Sequence, residues 1–306
     1  MNKPIKNSCI FEVSWEVCNF VGGINTVIKS KAAQMNKLYN DNYFLIGPFF
    51  LNQLKGEFEE KVVDKNLKRV FQKLEKQGIK CHFGKWLIEG QPQVILIDFK
   101  DFWWKLNDFK GELWRDYKID SLKSGYDFNE PLIWGLAVGI LIQEMIKYDV
   151  KGLSKGKRIV AHFHEWISAS GLLYLKKRAP DIATVFTTHA TVVGRTLTYN
   201  HVDFYSSIKT INANLEADKW QVRDKHQLEK AAALFCDIFT TVSEITASET
   251  FYFFKKKPDI LTYNGLDLEK FPSTDELVLK KRFQKNRLKQ FLLYYFFPYY
   301  SFSLEN

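Results

Sequence analysis

The residues best suited to chemistry stand where apolar runs give way to polar side chains. Ala183–Thr188 is an alternating, β-branched run that reads as a short strand and stops at His189. Six residues further on, just behind a glycine, stands Arg195. In an open parallel sheet, ligands collect beyond the carboxyl ends of the strands. A histidine at such an end, with an arginine close behind it, suits a phosphorylated or sugar-like ligand. A plain polar strand cap is the competing reading, and one histidine does not separate the two.

Other expected strand ends carry similar groups. Cys9-Ile-Phe-Glu-Val13 reads as a first strand, followed by Gly22-Gly23 and then a helical pattern with Ile24, Val27, Ile28, Met35 and Leu38 on one side. Strand, glycine turn and helix is the form of a phosphate-cradling loop, because glycine allows close backbone approach and a helix start offers N–H groups. The full G-x-G-x-x-G is absent, so an ordinary turn remains the alternative. His162, His164 and Glu165 close another strand, Ser243 a third, and Asn264-Gly265 a fourth. One crevice along one sheet edge can hold them all.

The elements that must position these groups alternate between strand and helix. Further strands are expected over 43–47, 85–90, 94–98, Arg158–His164, 236–243 and 259–265. Helices are expected over 57–78, 131–146, 167–177 and 214–233, with Ser243 capping one more, and 102–126 reads as an irregular or short-helical excursion. Repeated β–α alternation predicts a parallel sheet with right-handed crossovers.

Composition narrows the classes. With 46% hydrophobic residues in a 306-residue chain, a packed core is expected and wholesale disorder is excluded. The formal charge of +9 fits a surface that attracts anions. No DNA- or RNA-binding module signature appears, so nucleic acid is not an expected partner. Cys9, Cys18, Cys81 and Cys236 have neither zinc nor disulfide spacing, and no metal site is expected. Neither a signal-type block nor a membrane-spanning run is found, and the expected compartment is the cytoplasm.

The ordered blocks then carry a resemblance. Phe11-Glu-Val-Ser-Trp-Glu-Val17 with Val21-Gly-Gly-Ile24, Asp41-Asn-Tyr-Phe-Leu-Ile-Gly-Pro48, Trp86-Leu-Ile-Glu-Gly90, Ala161-His-Phe-His-Glu-Trp166, Phe186-Thr-Thr-His-Ala-Thr191, Phe239-Thr-Thr-Val-Ser-Glu-Ile-Thr246 and Lys257-Pro-Asp259 through Asn264-Gly-Leu266 resemble the eukaryotic glycogen synthases. The order is the family's, and the blocks cover almost the whole chain.

The resemblance implies an α/β fold: a Rossmann-like parallel sheet with helices on both faces, as in the N-terminal domain of a GT-B glycosyltransferase. It implies transfer of glucose from UDP-glucose to the 4-hydroxyl at a glucan's non-reducing end, with retention and without a metal or cofactor. By similarity His189 is the catalytic-site residue and Arg195, Gly22, Gly23, His164, Glu165 and Asn264 bind substrate. Glu276 and Lys285 match part of a glucose-6-phosphate site, whereas Asp275, Val278 and Lys281 do not. Phe20 stands where animal members carry a donor-binding lysine. The implied partners are UDP-glucose and glycogen, with glycogenin and a full-length synthase subunit behind them.

The expected domains are residues 1–271, an acceptor-side Rossmann-like unit, and residues 272–306, a helical and aromatic inter-domain stretch. Family members continue into a second domain with further phosphate-gripping residues. The chain is therefore expected to be their N-terminal half and inactive alone. A glucan-binding or synthase-pairing protein without catalysis is the alternative. A nucleotide-dependent oxidoreductase is disfavoured because the dinucleotide fingerprint is missing.

Overall fold

The computed structural model describes residues 5, 7–51, 54, 56–265 and 273–300. These divide into two compact units, Met1–Asn264 and Gly265–Asn306. The boundary expected between residues 271 and 272 lies outside the described residues, as do Leu266 and the last six residues of the chain.

The first unit is built on one nine-stranded sheet. Its strands are β1 (Ser8–Val13), β2 (Tyr43–Pro48), β3 (Phe58–Glu60), β4 (Lys80–Trp86), β5 (Gln93–Asp98), β6 (Arg158–His164), β7 (Ala183–Thr188), β8 (Ile238–Thr241) and β9 (Ile260–Leu261). The order across the sheet is β3-β4-β5-β2-β1-β6-β7-β8-β9. From β5 to β9 every neighbouring pair is parallel. The β3-β4-β5 edge is antiparallel, a departure from the wholly parallel expectation. The chain turns from β4 to β5 through Gly90 and Gln91, both at positive φ, in a loop too short for the crossover that a parallel pair requires.

Alternation along the strands builds two faces. Cys9, Phe11 and Val13 join Phe44, Ile46, Ile95 and Ile97 in the larger core, which contains α4 (Tyr126–Lys147) and α5 (Glu165–Arg178). Ile10 joins Tyr43, Leu45, Val94 and Leu96 in the smaller core, under α1 (Gly23–Tyr39). Burial on both sides explains why the parallel strands read as nearly continuous apolar runs. The helices α4 and α5 approach closely because Gly171 lies on Gly135: a Cβ on Gly171 would come within 2.5 Å of the Gly135 carbonyl oxygen. That crossing fixes α5, whose first residue is Glu165.

Several expected boundaries are corrected. The 57–78 segment is the short edge strand β3 followed by α2 (Lys65–Glu75), capped by Asp64. Residues 102–126 contain a regular helix, α3 (Leu106–Tyr117), ended by left-handed Lys118. The single helix expected over 214–233 is two, α7 (Ala213–Lys219) and α8 (Arg223–Phe235), broken where Gln221 takes φ 57°. The helix α6 (Val192–Tyr199), which carries Arg195, lies outside every expected element. Ser243 caps α9 (Glu244–Phe254) as expected, accepting the Thr246 N–H.

His226 on α8 is fully buried, 5.9 Å from the Phe254 ring, and neither ring nitrogen has a partner among the described residues. Burial first, then Lys230, pushes its pKa down from 6.5 to about 4. The unfolded chain takes up this proton near pH 6.5 and the folded chain only near pH 4, so folded stability falls as pH drops through that window. His226→Leu should therefore stabilise the protein at pH 7 by about 1 kcal/mol, through removal of unsatisfied groups. The advantage should grow by roughly 3 kcal/mol between pH 6.5 and pH 4. Urea melts of both proteins across that range check this, and parallel pH profiles would refute it.

The second unit contains α10 (Thr274–Tyr295), none of whose residues is buried. No helix of the described residues is long and apolar enough to cross a membrane.

Candidate functional site

The chain runs outward from β1 to β2 and β5 on one side, then returns to β6 on the other side of β1, so the sheet has its switch point between β1 and β6. Ligands in open α/β sheets bind at this place, beyond the carboxyl ends of the strands. The side chains there are polar and tied into one network.

Glu12 lies on β1 opposite His162 of β6, fully buried. Its Oε1 accepts from His164 Nε2 at 2.8 Å and lies 2.5 Å from Lys31 Nζ of α1. Its Oε2 accepts from the Tyr43 hydroxyl at 2.5 Å. Burial alone would raise the Glu12 carboxyl, but Lys31 and the His164 hydrogen bond together hold it well below the usual range. His164 Nδ1 lies 3.0 Å from His189 Nε2, at the end of β7. Burial lowers the pKa of both histidines, that of His189 to about 3, with nearby His164, Lys31 and Arg195 adding to the effect on His189. Both rings are neutral at pH 7.

Glu12, His162 and His164 offer ligand atoms within 4.8 Å of one another, a spacing that could hold a metal ion. Each is already engaged: Lys31 supplies a cation to Glu12, and His162 Nε2 bonds the Thr187 hydroxyl at 2.7 Å. The donor set fits a hydrogen-bonded ladder better than a coordination shell.

Glu165 forms the second centre. It opens α5 with φ 65°, a left-handed conformation that costs a non-glycine residue about 1 kcal/mol. That turn places its buried carboxylate under the end of β7. Oε1 accepts the backbone N–H groups of His189 and Ala190 at 2.8 and 3.2 Å, and Oε2 accepts from Arg195 Nη2 at 3.3 Å. Burial raises the Glu165 carboxyl, against the pull of Arg195 and the two N–H groups. One carboxylate thus holds the His189 backbone and the Arg195 side chain, which is itself 61% exposed.

The segment between them is braced from behind. Thr191 caps α6, accepting the Gly194 N–H at 3.0 Å and donating to Glu249 at 2.6 Å, and Tyr205 donates to the other Glu249 oxygen at 2.8 Å. A Cβ on Gly194 would lie 2.3 Å from that Glu249 carboxylate, so only glycine fits in front of Arg195. The Val192 N–H donates to Glu229 at 2.9 Å. Burial first, then neighbouring Glu165, pushes the Glu229 carboxyl well above the usual range.

The Gly22-Gly23 loop differs from the open anion cradle expected. Glu16 Oε2 accepts the N–H groups of Gly22 and Asn25 at 2.9 Å each, so the chain's own carboxylate occupies part of the α1 N-terminus. At Gly23 a Cβ would meet nothing within 4 Å, which leaves open space in front of it. Phe20 and Val21 are exposed beside this loop.

Of the residues expected at the site, His164, Glu165, His189 and Arg195 are brought together directly. Gly22 and Gly23 make no hydrogen bond to these four among the described residues; the Gly22 N–H is held by Glu16 instead. Asn264 is exposed beyond β9 and makes no hydrogen bond to them among the described residues. Glu276 and Lys285 lie on α10 in the second unit, and Glu276 pairs with Lys280 at 2.8 Å. Nine residues, about two and a half turns, separate Glu276 from Lys285, so they face opposite sides of the helix. Glu12, Lys31, Glu16, Glu229 and Glu249 were missed. The available signal was an acid inside an otherwise apolar strand, Cys9-Ile-Phe-Glu-Val13, and a second histidine two residues before His164.

The sequence profile of the glycogen synthase family matches residues 12–306. The chain belongs to the glycogen synthase family. It is 38% identical over 303 residues to the liver glycogen [starch] synthase of Homo sapiens, an alignment covering 99% of this chain and 42% of that protein. It is 38% identical over 305 residues to the glycogen [starch] synthase of Neurospora crassa, again covering 99% and 42%. The Dictyostelium discoideum enzyme is 35% identical, with 34% of its length covered. The chain thus spans less than half the length of these glycogen synthases. The catalytic domain of starch synthase IV from Arabidopsis thaliana, bound to ADP and acarbose, superposes with a TM-score of 0.53 at 16% identity, covering 94% of this chain and 59% of that one. The α/β fold expected from the family resemblance, a mostly parallel sheet with helices, is the fold found, and its structural neighbour is a starch synthase catalytic domain.

Proposed function

We propose that the carboxyl edge at the β1–β6 switch point is the acceptor-side wall of a UDP-glucose site. Retaining transfer would there pass glucose to the 4-hydroxyl at a glucan's non-reducing end. The observation that carries this reading is the shared anchor: Glu165 fixes His189 and Arg195 together, one group fitted to the sugar and one to the phosphates. Departure of UDP develops negative charge on the diphosphate, and a guanidinium offsets it with charge-assisted hydrogen bonds. The N–H groups of Gly23 and Ile24, which make no hydrogen bond among the described residues, supply further donors at the start of α1. The step uses no metal. That the starch synthase neighbour holds ADP and acarbose supports a nucleoside diphosphate beside a glucan-like chain on this fold.

Lys31 is committed to Glu12, so among the described residues of this network Arg195 is the cation left to face a diphosphate of two or three negative charges. Turnover therefore needs positive charge from beyond these residues. The 306-residue polypeptide should bind UDP only weakly, with Kd of about 1 mM or above, and should transfer no glucose to glycogen. Calorimetry with UDP and a radiolabelled UDP-glucose assay test both statements. Turnover by the polypeptide would overturn the need for outside charge, and absence of UDP binding at tens of millimolar would overturn the donor site itself.

Glycogen, glycogenin and a full-length synthase subunit are the partners this reading carries with it. The cytoplasm is the compartment, in keeping with four unpaired cysteines. Burial pushes the Cys9 and Cys236 thiols up to about 12, which leaves them inert.

A further inference from the structure

The geometry points to Glu12 as a positioning residue that acts through His164, fixing His189 with its proton on Nε2 and leaving Nδ1 as the hydrogen-bond acceptor offered to a ligand hydroxyl. A carboxylate with no proton can only accept, so the 2.8 Å contact requires the His164 proton to be on Nε2. The neutral ring then has a bare Nδ1. The 3.0 Å contact between that atom and His189 Nε2 can be a hydrogen bond only if His189 donates. Its own proton is thereby fixed on Nε2. His189 is half-buried, and its Nδ1 makes no hydrogen bond among the described residues, which leaves that nitrogen for a ligand. A sugar hydroxyl, which can donate, fits this nitrogen; a carbonyl or phosphate oxygen does not.

The anchor itself is rigid. Tyr43 and Lys31 both donate to Glu12, so neither of its oxygens is free to turn, and β1–β6 pairing sets Glu12 directly against His162. Lys31 also keeps the carboxylate ionised despite full burial, which holds the acceptor-only state on which the chain of protons depends. Every group in the line serves to give one nitrogen a defined sign. This deepens the proposed function, on whose assignment of His189 to the sugar it rests, but the protonation pattern is measurable without any ligand.

The test is long-range proton–nitrogen NMR on the full chain labelled at histidine nitrogen, at pH 7. The wild type should show His164 and His189 each protonated on Nε2 and bare on Nδ1. The double variant Glu12→Met with Lys31→Met removes the acceptor without stranding an ammonium in its place. There His164 should move its proton to Nδ1, donate to His189 Nε2, and drive the His189 proton onto Nδ1. Tyr43→Phe, which leaves the Glu12–His164 contact in place, should keep the wild-type pattern. A wild-type His189 protonated on Nδ1, or on both nitrogens, overturns the proposal, as does an unchanged His189 in a folded double variant. Should the double variant not fold, His164→Leu leaves Glu12 and Lys31 paired and takes away the acceptor that faces His189. It should release His189 to a mixture of both tautomers, and a His189 still wholly protonated on Nε2 overturns the proposal again. UDP titrated into the same wild-type sample separates the two readings. The expected tautomers with no UDP binding would sink the donor site alone, and wrong tautomers with UDP bound would sink only the relay.

Discussion

Glu165→Leu should cost the first unit about 3 kcal/mol, a large share of the roughly 5–15 kcal/mol that holds a domain folded. The carboxylate accepts two backbone N–H groups at the end of β7, and each orphaned donor costs about 1–3 kcal/mol when buried. Loss of the Arg195 contact adds little, because that guanidinium is mostly exposed and can turn to water. The left-handed backbone at position 165 is unfavourable for leucine and glutamate alike, so it largely cancels between them. Glu165→Gln keeps an oxygen for the two N–H groups and should cost about 1 kcal/mol. Urea midpoints for the three proteins decide this, and a leucine variant as stable as the glutamine one would show that Glu165 does not hold the loop.

Arg195→Ala should weaken UDP binding about 10- to 100-fold, the value of one or two hydrogen bonds to a charged group. It should leave the urea midpoint almost unchanged. The discrimination comes from exposure: Arg195 projects from α6, whose own support is Thr191, Glu229 and Glu249 rather than the arginine. Arg195→Lys keeps the charge but loses the planar fork, and should fall between wild type and alanine. In a longer family member carrying the same change at the aligned arginine, transfer should drop by a similar factor. Equal UDP affinity in wild type and alanine variant would remove Arg195 from the site.

Much of this arrangement could be read beforehand, and the reasons differ by residue. Ala183–Thr188 and Arg158–His164 were placed to the residue, because short β-branched runs bounded by charge or turn signals have few alternative registers. His189, Arg195, His164 and Glu165 were legible as candidates because polar groups at the ends of apolar strands are conspicuous in one dimension. Glu12 was not. A single acid in an apolar strand looks like an interruption until a lysine from α1 and a histidine from β6 are seen around it. Helix α6 was hidden by its length of eight residues, by two β-branched residues at its start and by its glycine, none of which favours a helix. The break at Gln221 had no glycine or proline to announce it, and the charge pattern runs on through it without interruption.

The sequence by itself determined the class of fold, the family, and the strand ends at which ligand-directed groups stand. Those depend on local periodicity and on ordered blocks of residues, which a chain carries whether or not it is folded. Only the tertiary structure decided what those groups are bonded to. It set Glu165 under the end of β7, put the Glu16 carboxylate into the loop reserved for an anion, and lined Glu12, His164 and His189 into one directed chain. Glu12 and His164 are 152 positions apart in sequence. A hydrogen bond between them depends on a few tenths of an ångström and on burial that removes water, and neither quantity exists until the sheet has closed.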